Sequence, residues 1–336
     1  MPYFRRFTLI RSLYYTTGKP VRTDIPPAEF PRLLRDRRGL LWVDFMSEPE
    51  QIAEPILRSF NFHPLAIDDA LQETHTPKID DWGDYIYIVL NVMNYKREHG
   101  VFESEIDELD IFLGKNFVVT FHDQLISAIE DAWSACQRDA RHLHDGPDHL
   151  LYRITDSLVN SYMPLVEQID NQLDQIEDHI FDNPSRNTLE QIFALKRTLQ
   201  SMRRIILPQR EVLNKLARDD YRVIDPKDRV FFRDIYDHLV RLHDINESLR
   251  DLVSGAMDTY LSVINNRMNE VMKTLAIITT LFMPITFVTG FFGMNFFEPV
   301  ANLVGWTTRE VFQVTVGIML GLPIVMYLWM RRQTWL

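Results

Sequence analysis

The chain has 336 residues, 46% of them hydrophobic and 25% charged, which is the make-up of a folding protein and excludes a disordered or collagen-like one. Its 36 Lys and Arg stand against 47 Asp and Glu, a formal charge of −11; this excludes a nucleic-acid binder working through overall positive charge and suits cationic partners. The single cysteine, Cys136, excludes an internal disulfide and a thiolate metal cluster within one chain, so a reducing compartment is the simplest reading.

In the opening MPYFRRFTLIRS, arginines interrupt every apolar run, and no secretory signal is predicted. Over residues 1–150, short β-rich runs alternate with short helical ones. Gly39 to Phe45 (GLLWVDF), Tyr85 to Val92, Asp110 to Leu113 and Asn116 to Phe121 predict strands in a cytoplasmic α/β domain. From Asp148 the period becomes helical, through Leu158, Leu165, Ile169, Leu173, Ile176 and Ile180. Asp182-Asn183-Pro184-Ser185 predicts a turn, and Leu189, Ile192, Leu195, Leu199, Met202 and Ile206 a second helix. Residues 151–273 therefore read as a helical stalk. Between Pro226 and Pro284 there is no proline and only Gly255. An apolar row of Phe231, Ile235, Leu239, Leu242, Ile245, Leu249, Leu252, Ala256, Tyr260 and Val263 predicts a long helix from about 227 to 273. Continued without a break toward Pro284, it would run for roughly 85 Å.

The next stretch, 274–292 (TLAIITTLFMPITFVTGFF), has no charged residue. At about 1.5 Å per residue it extends roughly 28 Å, close to the bilayer's hydrocarbon thickness of about 30 Å. A second chargeless run, 311–330, is of similar length. Two such runs so close together predict two transmembrane helices rather than a buried hairpin. Arg267 and Lys273 precede the first and Arg331 and Arg332 follow the second, while the loop 293–310 carries only Arg309 as a basic residue. This bias predicts both termini in the cytoplasm, the loop outside, and residues 331–336 as a basic cytoplasmic tail. The segment 274–336 holds three basic and two acidic side chains, so the other 273 residues carry 33 against 45, and the acidic excess is cytoplasmic.

Asn269, Met272, Leu275, Thr279, Met283, Thr286 and Gly290 recur three or four residues apart and share one face of the first span. A face mixing polar, thioether and small residues suits either a wet pore or a helix-packing seam. Two helices cannot enclose a conduit, so a pore on this face requires several copies about an axis.

Gly293-Met294-Asn295 closes the first span, and a short loop, a second span and an Arg331-Arg332 tail ending in Trp335-Leu336 follow. This layout, with Asn269 to Lys273 (NEVMK), Phe282 to Phe287 (FMPITF), His63 to Leu71 (HPLAIDDAL) and Phe232 to Asp251, resembles the CorA family of magnesium transporters over nearly the full chain. The resemblance implies an α+β membrane protein: a homopentamer with a cytoplasmic α/β domain, a funnel of long helices and a pore lined by the first membrane helix. It implies a selectivity filter of Gly293, Met294 and Asn295, with Asn295 amides ringing the outer mouth, and assigns the pore to the face from Asn269 to Gly290. Where the family's loop carries an acidic Met-Pro-Glu-Leu run, this chain has Phe296-Phe297-Glu298-Pro299-Val300, leaving Glu298 as the acid near the entrance.

By composition alone, Asp68, Asp69, Asp156 and Asp234 read as solvated surface acids. The resemblance instead pairs Asp69 with Asp234 across a subunit boundary, with Asp68 and Asp156 as a second site, and gives both a regulatory role in binding Mg2+. Carboxylate oxygens are the hard ligands that ion prefers. Asp170, Asp174, Glu177 and Asp178 fit a solvated helix face, and His142, His144 and His149, like His122-Asp123, lack the partners that catalysis or a metal would need. The function implied is a plasma-membrane or inner-membrane channel for Mg2+, with Co2+ or Ni2+ following, driven by the membrane potential and shut by cytoplasmic Mg2+. Expected partners are further copies of the chain, membrane lipid and divalent cations, with no nucleic acid, no organic cofactor and no enzymatic activity. The alternative is a zinc transporter of the related ZntB branch, with proton coupling.

Overall fold

The computed structural model describes residues 9–72, 76–98, 101–182, 184–293 and 308–332. Its elements are β1 (Leu9–Thr16), β2 (Arg22–Thr23), α1 (Phe30–Leu33), β3 (Gly39–Met46), α2 (Glu50–Ser59), α3 (Pro64–Leu71), β4 (Lys78–Asp81), β5 (Tyr85–Glu98), β6 (Val101–Gly114) and β7 (Phe117–His122). Helices follow: α4 (Ser127–Arg138), α5 (Pro147–Asn160), α6 (Tyr162–Asp182), α7 (Arg186–Arg218), α8 (Arg229–Gly293) and α9 (Arg309–Arg332). The chain divides into two compact units, Met1–Asp258 and Thr259–Leu336.

In the first unit the described strands form one mixed sheet in the order β2-β1-β3-β7-β6-β5-β4. Only the β3–β7 pair is parallel, and it forms the centre. Successive side chains of a strand point to opposite faces. In β3, Leu41, Val43 and Phe45 therefore enter one core with Ala53 and Leu57 of α2 and Ala66, Ile67 and Ala70 of α3. Trp42 meets Trp133 of α4 edge-on, with ring centroids 4.8 Å apart. Burial on both faces is why the GLLWVDF run lacks the alternation of a half-exposed strand. The predicted short strand at Asp110 to Leu113 is the end of a hairpin in which β5 pairs with β6 from Tyr85↔Gly114 to Glu98↔Val101.

Helices α6 and α7 dock through polar bonds as well as apolar contacts. Tyr162 donates to the Asn91 carbonyl at 2.6 Å, and the buried Gln209 donates its amide to the same oxygen at 2.5 Å. The predicted turn ends with Ser185 as the N-cap of α7; its hydroxyl accepts from Thr188 N–H at 3.2 Å in a capping box. His122 is a core residue: its ring lies 3.2 Å from Asp44, which also accepts from Arg11 at 2.8 Å and from the Thr120 hydroxyl. Burial acts to raise the Asp44 carboxyl, but His122, Arg11 and Thr120 outweigh it and hold it low.

The long helix α8 is continuous from Arg229 to Gly293, so the predicted stalk and first span are one element. Its buried row, however, runs Phe232, Ile235, Leu239, Leu242, Asn246, Leu249, Val253, Ala256, Tyr260. This corrects the predicted row at four places, because Phe231 and Leu252 are exposed and Ile245 and Val263 are only half-buried. The observed steps alternate strictly between three and four, a heptad seam that retains phase where an apolar neighbour offers a tempting substitute. Asn246 occupies one seam position, fully buried, with neither amide atom hydrogen-bonded.

The second unit contains the rest of α8 and α9, two helices long and apolar enough to cross a bilayer. Pro284 and Pro323 sit inside them.

Candidate functional site

Between residues 274 and 291, the described positions of α8 that are partly covered are Ile277, Leu281, Pro284, Ile285 and Val288. In α9 the partly covered row includes Val311, Thr315, Met319, Pro323 and Met326. Both rows step by three or four, as facing helices require. At about 100° per residue, the covered row of α8 is centred diametrically opposite the face bearing Thr279, Met283, Thr286 and Gly290. All seven residues of the polar face, from Asn269 to Gly290, are exposed, Met272 at 63%, Leu275 at 60% and Met283 at 71%. The partly covered row of α8 thus lies on the side of the helix away from the polar face.

The threonines of this face have a fixed polarity. Thr279 donates its hydroxyl proton to the Leu275 carbonyl at 2.9 Å, and Thr286 donates to Phe282 at 3.0 Å. With the proton committed to the backbone, each hydroxyl oxygen presents only lone pairs outward. Gly293 ends α8, with open space where a Cβ would stand. Met294, Asn295 and Glu298 lie outside the described residues.

The predicted acids are in the first unit. Helix α3 starts at Pro64 after the N-cap His63, whose ring accepts Leu65 N–H at 3.2 Å and stacks on Trp82 at 4.0 Å. Because α3 buries Ala66, Ile67 and Ala70, Asp68 and Asp69 face outward. Asp69 forms a salt bridge with Lys78 of β4, a residue that pattern reading passed over. Its only sequence signal is that it is a lone cation among Asp68, Asp69, Asp80, Asp81 and Asp84.

Asp156 and Asp234 lie near one tyrosine, Tyr152, within one chain. Helix α5 buries Leu150, Leu151, Ile154 and Leu158, leaving Tyr152 and Asp156 half-buried along its edge. Tyr152 packs on Phe231 at 4.9 Å, just before the exposed Asp234. Burial and then the charges of Asp156 and Asp234 raise the Tyr152 phenol above its ordinary range, so both carboxylates act on one hydroxyl. Among the described residues, no three His, Cys, Asp or Glu side chains converge to hold a metal ion. Asp170, Asp174, Glu177 and Asp178 are all exposed on α6. His142 contacts Arg153, and burial followed by that cation lowers its pKa.

The chain matches the family model of CorA-like Mg2+ transporter proteins over residues 37–332. It is 33% identical over 304 residues to the cobalt/magnesium transport protein CorA of Thermotoga maritima, covering 90% of this chain and 85% of that one. The zinc transport protein ZntB of Yersinia pestis is more distant, at 24% identity over 277 residues and 81% of each chain. The fold superposes on the complete structure of the CorA magnesium transporter from Methanocaldococcus jannaschii with a TM-score of 0.81, at 22% identity, covering 98% of this chain and 99% of that one. A mixed-sheet domain, an unbroken long helix and two C-terminal apolar helices, matched by sequence over most of their length, place this chain in the CorA-like Mg2+ transporter family of membrane-embedded divalent metal ion transporters.

Proposed function

We propose that the chain assembles as a homopentamer around the polar face of α8 and conducts Mg2+ inward, with Co2+ or Ni2+ following, under control of cytoplasmic Mg2+. The observation that carries this reading is the exposed row from Asn269 to Gly290 opposite the face covered within the second unit. A transporter built from two spans per chain needs several copies to enclose a path, and this row is the face left to line it. The cobalt/magnesium name of the Thermotoga maritima relative supports the choice of ion.

Mg2+ sheds its water reluctantly, so hydroxyls that face the path as acceptors favour an ion passing with much of its shell intact. The shell's hydrogens point outward, and Thr279 and Thr286 offer oxygens to receive them. Neutral oxygens hold a dication without trapping it, while the Met272, Leu275 and Met283 rings form dry constrictions able to close. Gly293, Met294 and Asn295 form the outer filter, with the Asn295 amide oxygens meeting the hydrated ion. Two charges moving down the membrane potential yield about 4.6 kcal/mol per 100 mV, so no nucleotide hydrolysis is needed.

Control follows from charge. Asp69 of one protomer faces Asp234 of the next, with Asp68 and Asp156 as a second pair. These acids repel across the boundary until Mg2+ neutralises them, and its loss lets the protomers part and the pore open. Exposed Val230 and Phe231 beside Asp234 supply apolar surface for that contact. In this arrangement both termini are cytoplasmic.

Flux into liposomes tests the reading. Mg2+ uptake should follow an inside-negative potential, and Asn295→Ala should abolish it while leaving the oligomer intact. Zinc uptake driven by a pH gradient with negligible Mg2+ uptake would establish the ZntB-type alternative. Full Mg2+ uptake by Asn295→Ala would overturn the filter.

A further inference from the structure

Lys78 and Asp80 are two apart on β4 and therefore project from the same face, beside the outward side of α3. The Lys78 ammonium bridges Asp69 and Asp80, lying 3.3 Å from the Asp80 carboxylate, and sits 5.2 Å from the centre of the Tyr87 ring. Asp81 is not available to it in the same way, because its Oδ1 caps the β4–β5 turn by accepting Gly83 N–H at 2.8 Å. The lysine is itself only about one-third exposed, at 32%, so the bridge is held by the fold rather than by a free surface chain.

We propose that Lys78 is a built-in counter-cation that occupies Asp69 when Mg2+ is absent and must be displaced before Asp69 can ligate the metal, thereby setting the Mg2+ concentration at which the transporter shuts. The proposal rests on the reading of Asp69 as a regulatory ligand and adds to it the competitor that fixes its threshold. A tethered ammonium opposes the incoming dication twice, by occupying a ligand oxygen and by repelling the ion. Asp80 moderates this by giving the displaced ammonium a second carboxylate to hold. Removing Lys78 should make the site more sensitive to Mg2+, and removing Asp80 should make it less sensitive.

The experiment is a Mg2+ titration of protease resistance in the full-length protein in detergent. Lys78→Gln should lower the midpoint Mg2+ concentration by about threefold or more, as loss of an ion pair of this exposure and of one repelling charge requires. Lys78→Arg, which keeps the charge, should stay within about twofold of the natural chain, and Asp80→Asn should raise the midpoint. Asp69→Asn should raise it strongly, and Lys78→Gln added to Asp69→Asn should then produce no further lowering. A shift in Asp69→Asn with none in Lys78→Gln overturns the counter-cation and leaves the regulatory site standing. An unshifted Asp69→Asn removes the site and the counter-cation together. Lys78→Gln and Asp80→Asn moving in the same direction also overturns the proposal.

Discussion

Asp228→Asn should stabilise the protein at neutral pH and do little in acid. Asp228 immediately precedes α8, is 3% exposed, and has one carboxylate oxygen without a hydrogen-bond partner. It faces Asp148, itself 5% exposed, which accepts the backbone N–H of Asp225 at 2.8 Å and of His149 at 3.1 Å. Burial first and the Asp148 charge second push the Asp228 carboxyl up from 3.8 to about 6, against the pull of Lys227 and His149. A raised folded-state pKa means that the native protein holds a proton the unfolded chain has released. Stability therefore falls as pH rises from about 4 through about 6 and is level above that. A shift of about two units corresponds to about 3 kcal/mol, the upper bound on what neutralising the group recovers. Asparagine serves as well as aspartate before a helix and can donate to Asp148. Thermal melts of the full-length protein at pH 7.5 should show the variant melting a few degrees higher, since each kcal/mol moves the midpoint of a unit this size by about 2–4 °C. At pH 3, below both the folded and the unfolded value, the two melts should nearly coincide. An equal shift at both pH values, or a lower midpoint at pH 7.5, would refute the carboxyl pair as the cause.

Asn246→Leu should raise the melting midpoint, because a fully buried amide with no partner costs about 1–3 kcal/mol and leucine suits the heptad position; a destabilised variant would show that the amide has a partner supplied on assembly. The double replacement Thr279→Val and Thr286→Val retains shape but removes both outward oxygens, and Mg2+ flux in liposomes should fall by about tenfold or more with the oligomer unchanged on gel filtration.

Much of this architecture is written in runs that need no tertiary knowledge. GLLWVDF reads as a strand because both its faces are buried, and the chargeless segments 274–292 and 311–330 stand out because a bilayer tolerates few charges. What stays hidden is selected by phase or by partners. Phe231 and Phe232, like Leu252 and Val253, are adjacent apolar residues, and only the strict heptad decides which is inside. Asn246 takes a core position that no hydrophobic pattern would grant it. The outer half of the β5–β6 hairpin is rich in charge, with Lys96, Arg97, Glu98, Glu103 and Glu105, so its pairing leaves no clear apolar alternation. Of the candidate site, the polar face of α8 is legible from spacing. The carboxylates are ordinary aspartates until α3, α5 and α8 are folded, and the bridge from Lys78 to Asp69 joins two elements whose proximity no local pattern encodes.

The backbone-bound threonines carry a consequence for traffic other than metals. In the proposed channel, threonine hydroxyls whose hydrogens are already spent on Leu275 and Phe282 offer no donor to chloride or phosphate. Those two threonine rings would turn anions away there without any charged residue in the 274–292 span.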